Sequence, residues 1–215
     1  MNYLDKNLAY FKSKGHVLEL DRGNPYDQLV VWSTQLGISV DGLLKKDFEA
    51  QAERLATHPI KLLVLDVDGV LTDGGMYYSE LRPINEFKKF NAKDGIGIMR
   101  YIKQGGQIAI ISSGKNINLI RDRASHLGIQ HVYASSAPKL ETLKGLCADL
   151  GIGLSEVAMI GDDLNDYDVL SEVGLSACPA DAVDGIMDLV DVVLTRDGGK
   201  CCVREFLDGW LIRDV

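Results

Sequence analysis

From residue 61 onward the chain alternates short apolar runs with segments whose apolar residues recur at helical spacing, and few folds accept that pattern. The runs 61–65, 107–111, 157–160 and 190–194 are rich in aliphatic and β-branched side chains and are bounded by Gly, Asp or Ser. Continuous apolarity over so few residues marks a strand buried on both faces. The intervening segments 94–104, 116–127, 138–150 and 165–173 read as helices. Strand and helix in strict alternation imply an α/β fold, a doubly wound Rossmann-like parallel sheet with right-handed crossovers.

The stretch 70–93 breaks the alternation. It carries Gly74-Gly75, then Met76-Tyr77-Tyr78, then Phe87 and Phe90, which suits two short strands projecting as a β-hairpin flap better than a structureless loop of that length. Residues 1–60 differ again. They suggest helices over 4–14, 25–36 and 40–58, with Asn24-Pro25 and Ser39 as helix starts, and hold no strand or chemical motif. The expected organisation is a helical N-terminal extension, 1–60, followed by an α/β domain, 61–215.

Charge narrows the partners. The 23 Lys and Arg against 31 Asp and Glu give −8 without a basic run, which argues against a nucleic-acid or anionic-membrane surface as the main partner. Cys147, Cys178, Cys201 and Cys202 form no Cys-x-x-Cys pair and have no His at zinc spacing, as expected of idle thiols in a reducing cytoplasm. No stretch approaches 18 apolar residues and no basic start leads into an apolar run, so neither a membrane span nor a signal peptide is expected, and the expected location is cytoplasmic.

The chemistry begins where the first run ends. Leu65-Asp66-Val67-Asp68-Gly69 puts two carboxylates two positions apart at the carboxyl end of a buried strand, where open α/β sheets bind ligands. Alternate strand residues share a face and Gly69 lets the chain turn, so both acids can converge on one centre. Asp-Gly is also a common turn dipeptide, but two acids directly after four apolar residues exceed what a turn needs. A calcium loop counted from Asp66 requires Gly and Glu where Leu71 and Tyr77 stand. Gly95-Ile96-Gly97 and Gly151-Ile152-Gly153 lack the third glycine of a dinucleotide fingerprint, with Arg100 and Glu156 in its place.

Three more pieces follow. Ser112-Ser113-Gly114-Lys115 follows a strand and opens a helix, a corner that offers hydroxyl and N–H donors to a phosphate, although Ser there also serves as a plain cap. Lys139 starts a helix after Pro138, where a cation opposes the helix dipole. Gly161-Asp162-Asp163-Leu164-Asn165-Asp166 clusters three acids after another apolar strand. Two acidic strand ends with a hydroxyl corner and a Lys between them suggest a Mg²⁺ site holding a phosphate, since Mg²⁺ takes few protein carboxylates and completes its shell with water and phosphate oxygens.

This ordered set, Asp66-Val67-Asp68-Gly69-Val70, Ser113, Lys139 and Gly161 through Asp166, resembles the four motifs of the haloacid dehalogenase (HAD) superfamily of phosphatases over 61–211. Phe90-Asn91-Ala92-Lys93-Asp94-Gly95 and Gly198-Gly199 with Arg204-Glu205-Phe206 resemble its small capless branch. That branch holds phosphatases of 3-deoxy-manno-octulosonate (KDO) 8-phosphate and of nine-carbon sialic-acid-type 9-phosphates, and a domain appended to some CMP-sialic acid synthetases. The resemblance implies a HAD-like fold, a Mg²⁺ cofactor and an aspartyl-phosphate intermediate. Asp66 would be the nucleophile and Asp68 the proton shuttle; Asp66, the Asp68 carbonyl and Asp162 would hold the metal. Ser113, Gly114 and Lys139 would hold the phosphoryl oxygens, with Asp163 and Asp166 in support. The resemblance further implies a homotetramer in which the flap builds a central barrel and the tail 198–204 reaches a neighbour's pocket. Lys115 and Arg204 would then face the small phosphorylated sugar acid, the Arg pairing with its carboxylate.

Three features depart from the branch. Lys115 stands where KDO 8-phosphate phosphatases tend to have Arg and the nine-carbon enzymes Glu, and its cation leans toward the first. Cys201-Cys202 occupies positions where small residues such as Gly are usual, and the N-terminal helices precede a strand at which these phosphatases usually begin. The leading function is a Mg²⁺-dependent sugar-acid phosphatase. A non-catalytic oligomerisation or partner module of a CMP-sugar activation pathway is the alternative, against which Asp66, Asp68 and Asp162 speak. A phospho-acceptor signalling domain would not need Asp68.

Overall fold

In the computed structural model of the protein the described residues are 3–18, 24–36, 38, 40–57, 59–80, 86–114 and 116–212. Four helices come first: α1 (Leu4–Ser13), α2 (Pro25–Leu36), α3 (Val40–Lys45) and α4 (Phe48–Thr57). Then follow β1 (Leu62–Leu65), the hairpin strands β2 (Tyr77–Tyr78) and β3 (Glu86–Phe87), α5 (Ala92–Lys103), β4 (Gln107–Ser112) and α6 (Ile117–Leu127). The chain continues through β5 (His131–Ala134), α7 (Lys139–Leu150), β6 (Val157–Ile160), α8 (Tyr167–Leu170), β7 (Leu175–Cys178), α9 (Asp184–Leu189), β8 (Val192–Val193) and α10 (Cys202–Phe206).

Six strands form one sheet in the order β5-β4-β1-β6-β7-β8, parallel at every pairing. Every residue of β1 is buried, and alternate residues feed opposite cores. Leu63 and Leu65 pack with Ile98 of α5, Ile120 of α6 and Phe206 of α10. Leu62 and Val64 pack with Leu143 of α7, Val169 of α8 and Ile186 of α9. Helices on both faces are what forces the strands to be apolar throughout. The chain runs outward from β1 to β4 and β5, then crosses back to β6 on the other flank of β1. The carboxyl ends of β1 and β6 therefore flank the point where strand order reverses, the crevice in which such sheets bind ligands.

The expected flap is the antiparallel pair β2 and β3, Tyr77 facing Phe87 and Tyr78 facing Glu86. Strands β5 and β7 were not expected from the sequence, and β8 is shorter than the run 190–194. The helix expected over 40–58 is two. It breaks at Lys46-Asp47, where Asp47 Oδ1 accepts the Ala50 N–H at 3.1 Å and caps α4. Asn7, fully buried, staples α1 to that break: its amide donates to the carbonyls of Leu43 and Lys46 and accepts the Phe48 N–H. Asn24 opens α2 as expected, accepting the Tyr26 N–H; Ser39 lies outside the described residues.

The helical extension docks on the α/β part. Lys45 pairs with Asp188 of α9 at 2.9 Å, Lys46 donates to the Asp188 carbonyl, and the Phe48 ring stacks on Trp210 at 6.5 Å. α3 packs beside β8, so the extension shields that edge of the sheet. Among the described residues no helix is long and apolar enough to cross a membrane.

Candidate active site

β1 ends at Leu65, and Asp66 continues in extended backbone with its N–H on the Ile160 carbonyl at 3.1 Å. That bond carries the pairing of β1 with β6 past the last strand residue, so Asp66 and Gly161-Asp162 leave the sheet side by side. Gly69 then turns the chain with φ +82°, and a Cβ there would lie 2.0 Å from Asp162 Oδ2. Only glycine meets both demands, and the Asp-Gly turn and the second acidic strand end pack face to face.

Lys139, the first residue of α7, is buried between the acids. Its ammonium lies 3.0 Å from Asp66 Oδ1 and 2.6 Å from Asp166 Oδ1. Asp166 is fully buried, and its other oxygen accepts the Asp162 N–H at 3.2 Å. Single carboxylate oxygens of Asp66, Asp162 and Asp166 lie within 4.8 Å of one another. Asp162 Oδ1 is buried with no hydrogen-bond partner among the described residues.

Three acids against one ammonium leave excess negative charge in a dry place. Burial first, then the charges of Asp66 and Asp166, push the Asp162 carboxyl up to about 8. Burial, and then Asp166, likewise raises Asp66, against the pull of Lys139. Burial alone would lower Lys139, but Asp66 and Asp166 outweigh it and hold it above its ordinary value. A hard dication relieves such a cluster, and a buried carboxylate oxygen with no hydrogen-bond partner among the described residues is a ready ligand. Both oxygens of Asp166 are engaged, so Asp66 and Asp162 are the carboxylates free to offer a ligand atom.

Opposite the acids stands the end of β4. Ser112 is buried and its Oγ accepts the Gly114 N–H at 3.0 Å, while Ser113 is exposed at the rim. Asp68 faces this corner: its Oδ2 lies 3.3 Å from where a Cβ on Gly114 would sit. Asp66, Asp68, Asp162, Ser112, Ser113 and Gly114 line one cavity of about 320 Å³, with Asp163 and Asn165 on its edge. Asp163 Oδ1 accepts the Leu164 N–H at 2.7 Å and caps the short turn after β6.

Most of the residues singled out in the sequence meet here, but Arg204 does not. It sits on α10, with Nε on Asp208 one turn along and its backbone N–H on Asp94, away from the cavity of its own chain. Lys115 lies outside the described residues. The tail glycines buttress the chain's own Asp-Gly turn. A Cβ on Gly198 would lie 1.9 Å from the Gly69 carbonyl oxygen, and the Gly199 N–H donates to Val70. Cys201 holds φ +79°, a left-handed conformation that costs a side-chain-bearing residue roughly 1–2 kcal/mol.

The sequence places Ser112 in this corner but assigns the phosphate to Ser113, because nothing in the adjacent pair separates them, and it gives Lys88 no role. Lys88 lies just past β3; its ammonium is 2.5 Å from Asp68 Oδ1 and 2.8 Å from Glu86 Oε1, with its side chain 2% exposed.

A family model described as haloacid dehalogenase-like hydrolase matches residues 124–198. The chain is 40% identical over 167 residues to the 3-deoxy-D-manno-octulosonate 8-phosphate phosphatase KdsC of Escherichia coli, covering 78% of this chain and 85% of that one. A crystal structure of the 3-deoxy-D-manno-octulosonate 8-phosphate phosphatase of Moraxella catarrhalis, in complex with magnesium ion, phosphate ion and KDO, is 34% identical. It superposes with a TM-score of 0.69 over 75% of this chain and 90% of that one. A probable YrbI family phosphatase from Pseudomonas syringae is 39% identical with a TM-score of 0.69, covering 74% and 88% of the two chains. Fold and relatives together make this chain a phosphoric monoester hydrolase. It belongs to the haloacid dehalogenase-like hydrolases, in their capless KdsC/YrbI phosphatase branch.

Proposed function

We propose that the protein is a Mg²⁺-dependent phosphatase of KDO 8-phosphate, working through a phosphorylated Asp66. One observation carries the reading: Asp66 and Asp162 leave adjacent strand ends beside a buried Lys139, with Asp68 facing them across a single cavity. The relatives' activity on KDO 8-phosphate supports the choice of substrate.

An Asp66 oxygen attacks phosphorus as the bond to the sugar oxygen breaks, and Asp68 gives that oxygen its proton. Water then attacks phosphorus, Asp68 takes back a proton, and the acyl-phosphate bond to Asp66 breaks. Lys139 and the Ser113-Gly114 corner hold the phosphoryl oxygens as charge shifts among them. Asp166 positions Lys139, holding its ammonium at 2.6 Å. Mg²⁺, held by Asp66, Asp162 and the Asp68 carbonyl, would neutralise the charge that otherwise keeps a phosphate away from a carboxylate.

The test is phosphate release with Mg²⁺ across KDO 8-phosphate, N-acetylneuraminate 9-phosphate, its deaminated analogue and simple hexose phosphates. Expected is a kcat/KM for KDO 8-phosphate at least about tenfold above the others, a preference of roughly 1.4 kcal/mol. Preference for a nine-carbon substrate would overturn the choice of sugar, and no release from any would revive the non-catalytic module.

The proposal extends to a homotetramer built on the flap. Met76, Tyr77, Tyr78 and Phe87 are all exposed on one hairpin, an apolar patch of the kind that marks an association surface. Residues 1–60 form, in this reading, a helical extension docked at the β8 edge of the sheet. Light scattering of the full chain should give four times 23.6 kDa; a monomeric mass would refute it.

A further inference from the structure

The flap has a second attachment besides its hairpin pairing, and it lands on the proton-transfer residue. Lys88 follows β3 and turns its side chain inward, leaving it 2% exposed, until the ammonium meets Asp68 Oδ1 on one side and Glu86 Oε1 on the other. An isolated Lys on a flap would be solvated, because burying an ammonium is costly unless its charge is paired. Here two carboxylates meet that need. The pair also divides the labour of the Asp68 carboxyl group. Oδ1 is taken by Lys88, while Oδ2 faces Gly114 and the phosphate corner. The Lys88 ammonium is held between the Asp68 and Glu86 carboxylates, so it acts through Asp68 rather than on a substrate.

We propose that Lys88 is a positioning residue: braced by Glu86, it fixes the Asp68 carboxyl group so that Oδ2 points at the leaving oxygen, and so couples proton transfer to the seating of the flap. This rests on the reading of Asp68 as proton shuttle. In the first half-reaction the proton on Oδ2 passes to the sugar oxygen as the P–O bond to the sugar breaks and the P–O bond to Asp66 forms. In the second, a proton of the attacking water returns to Oδ2 as the acyl-phosphate bond breaks. Lys88 keeps its own protons throughout and supplies only direction.

Leaving-group chemistry separates this role from a structural one. An alkyl phosphate such as KDO 8-phosphate expels a basic alkoxide that needs a proton, whereas p-nitrophenyl phosphate expels a phenolate that leaves without one. The quantity to compare is kcat/KM, which reports only the steps up to departure of the leaving group, before both substrates share the acyl-phosphate. Lys88→Met is expected to lower kcat/KM for KDO 8-phosphate roughly 10²-fold, the scale of a misplaced proton donor, and to change that for p-nitrophenyl phosphate by less than about threefold. Lys88→Arg, which keeps a cation and a donor, should restore the alkyl substrate to within about tenfold of wild type. Should Lys88→Met not fold, Glu86→Gln keeps the shape of the pair but loosens its brace, and should show the same selectivity at about tenfold or less. Equal losses on both substrates, or no loss on the alkyl one, overturn the proposal. Asp68→Asn is the separate control. If it fails to discriminate the two substrates in kcat/KM, the proton-shuttle reading falls, whatever Lys88 does.

Discussion

An Asp66→Asn variant will release phosphate from KDO 8-phosphate at no more than about 10⁻⁴ of the wild-type rate, because losing a nucleophile removes the covalent route rather than slowing it. The substitution is nearly isosteric and keeps the N–H that bonds to Ile160. What disappears is a negatively charged oxygen 3.0 Å from the Lys139 ammonium. Lys139 retains its shorter contact with Asp166, so the phosphate corner should survive. The fold should also hold, since Asn removes one of three crowded carboxylates, and a thermal melt no lower than wild type by more than a few degrees will show it. Steady-state phosphate release is the decisive measurement. A residual rate above about one per cent would mean that another group attacks phosphorus, and the nucleophile assignment would fail.

How far the sequence foretold this site depends on which signal each residue carried. Asp66 and Asp162 were legible because an acid within two residues of the end of a buried strand is costly unless it has a purpose, and the runs before them, Leu62–Leu65 and Val157–Ile160, are unbroken. β5 and β7 were not legible. Each has four residues, and Leu175–Cys178 is half small side chains with little β-propensity, so neither run stands out until its neighbours supply pairing. The break between α3 and α4 has one local signal, the Asp47 cap, but also rests on a long-range partner, the Asn7 amide, which no local window contains. Lys88 was hidden for a related reason. In sequence it reads as one of several charges at a flap edge, where lysines normally guard against edge-to-edge pairing. Its meaning comes from Asp68, 20 residues away, and only the folded turn brings the two together.

The excess of acid at the strand ends predicts how metal, pH and stability are linked. Asp162 has an ordinary carboxyl value of 3.8 and is pushed up to about 8 in the folded protein, by burial first and then by Asp66 and Asp166. Between those values the folded state holds a proton that the unfolded chain has released. Stability of the metal-free protein therefore falls as pH rises through that window, the reverse of the usual salt-bridged Asp. A dication competes with that proton for the Asp162 oxygen, so it stabilises most where the proton has been lost. Mg²⁺ at about 100 times its Kd contributes about 2.7 kcal/mol. For a chain of this length that is a rise in Tm of roughly 5–10 °C, expected near pH 8 and shrinking toward pH 5. Chelation at pH 8 should undo the rise and abolish phosphate release together. Asp162→Asn should behave in the opposite sense: it removes a buried charge with no hydrogen-bond partner among the described residues at Oδ1, so the metal-free variant should melt higher than wild type at pH 8 while losing its response to Mg²⁺. A Mg²⁺ shift of equal size at pH 5 and pH 8, or one that persists in Asp162→Asn, would show that the cation binds elsewhere. The acid cluster would then be a structural burden without a ligand, which its crowding against a single ammonium makes hard to sustain.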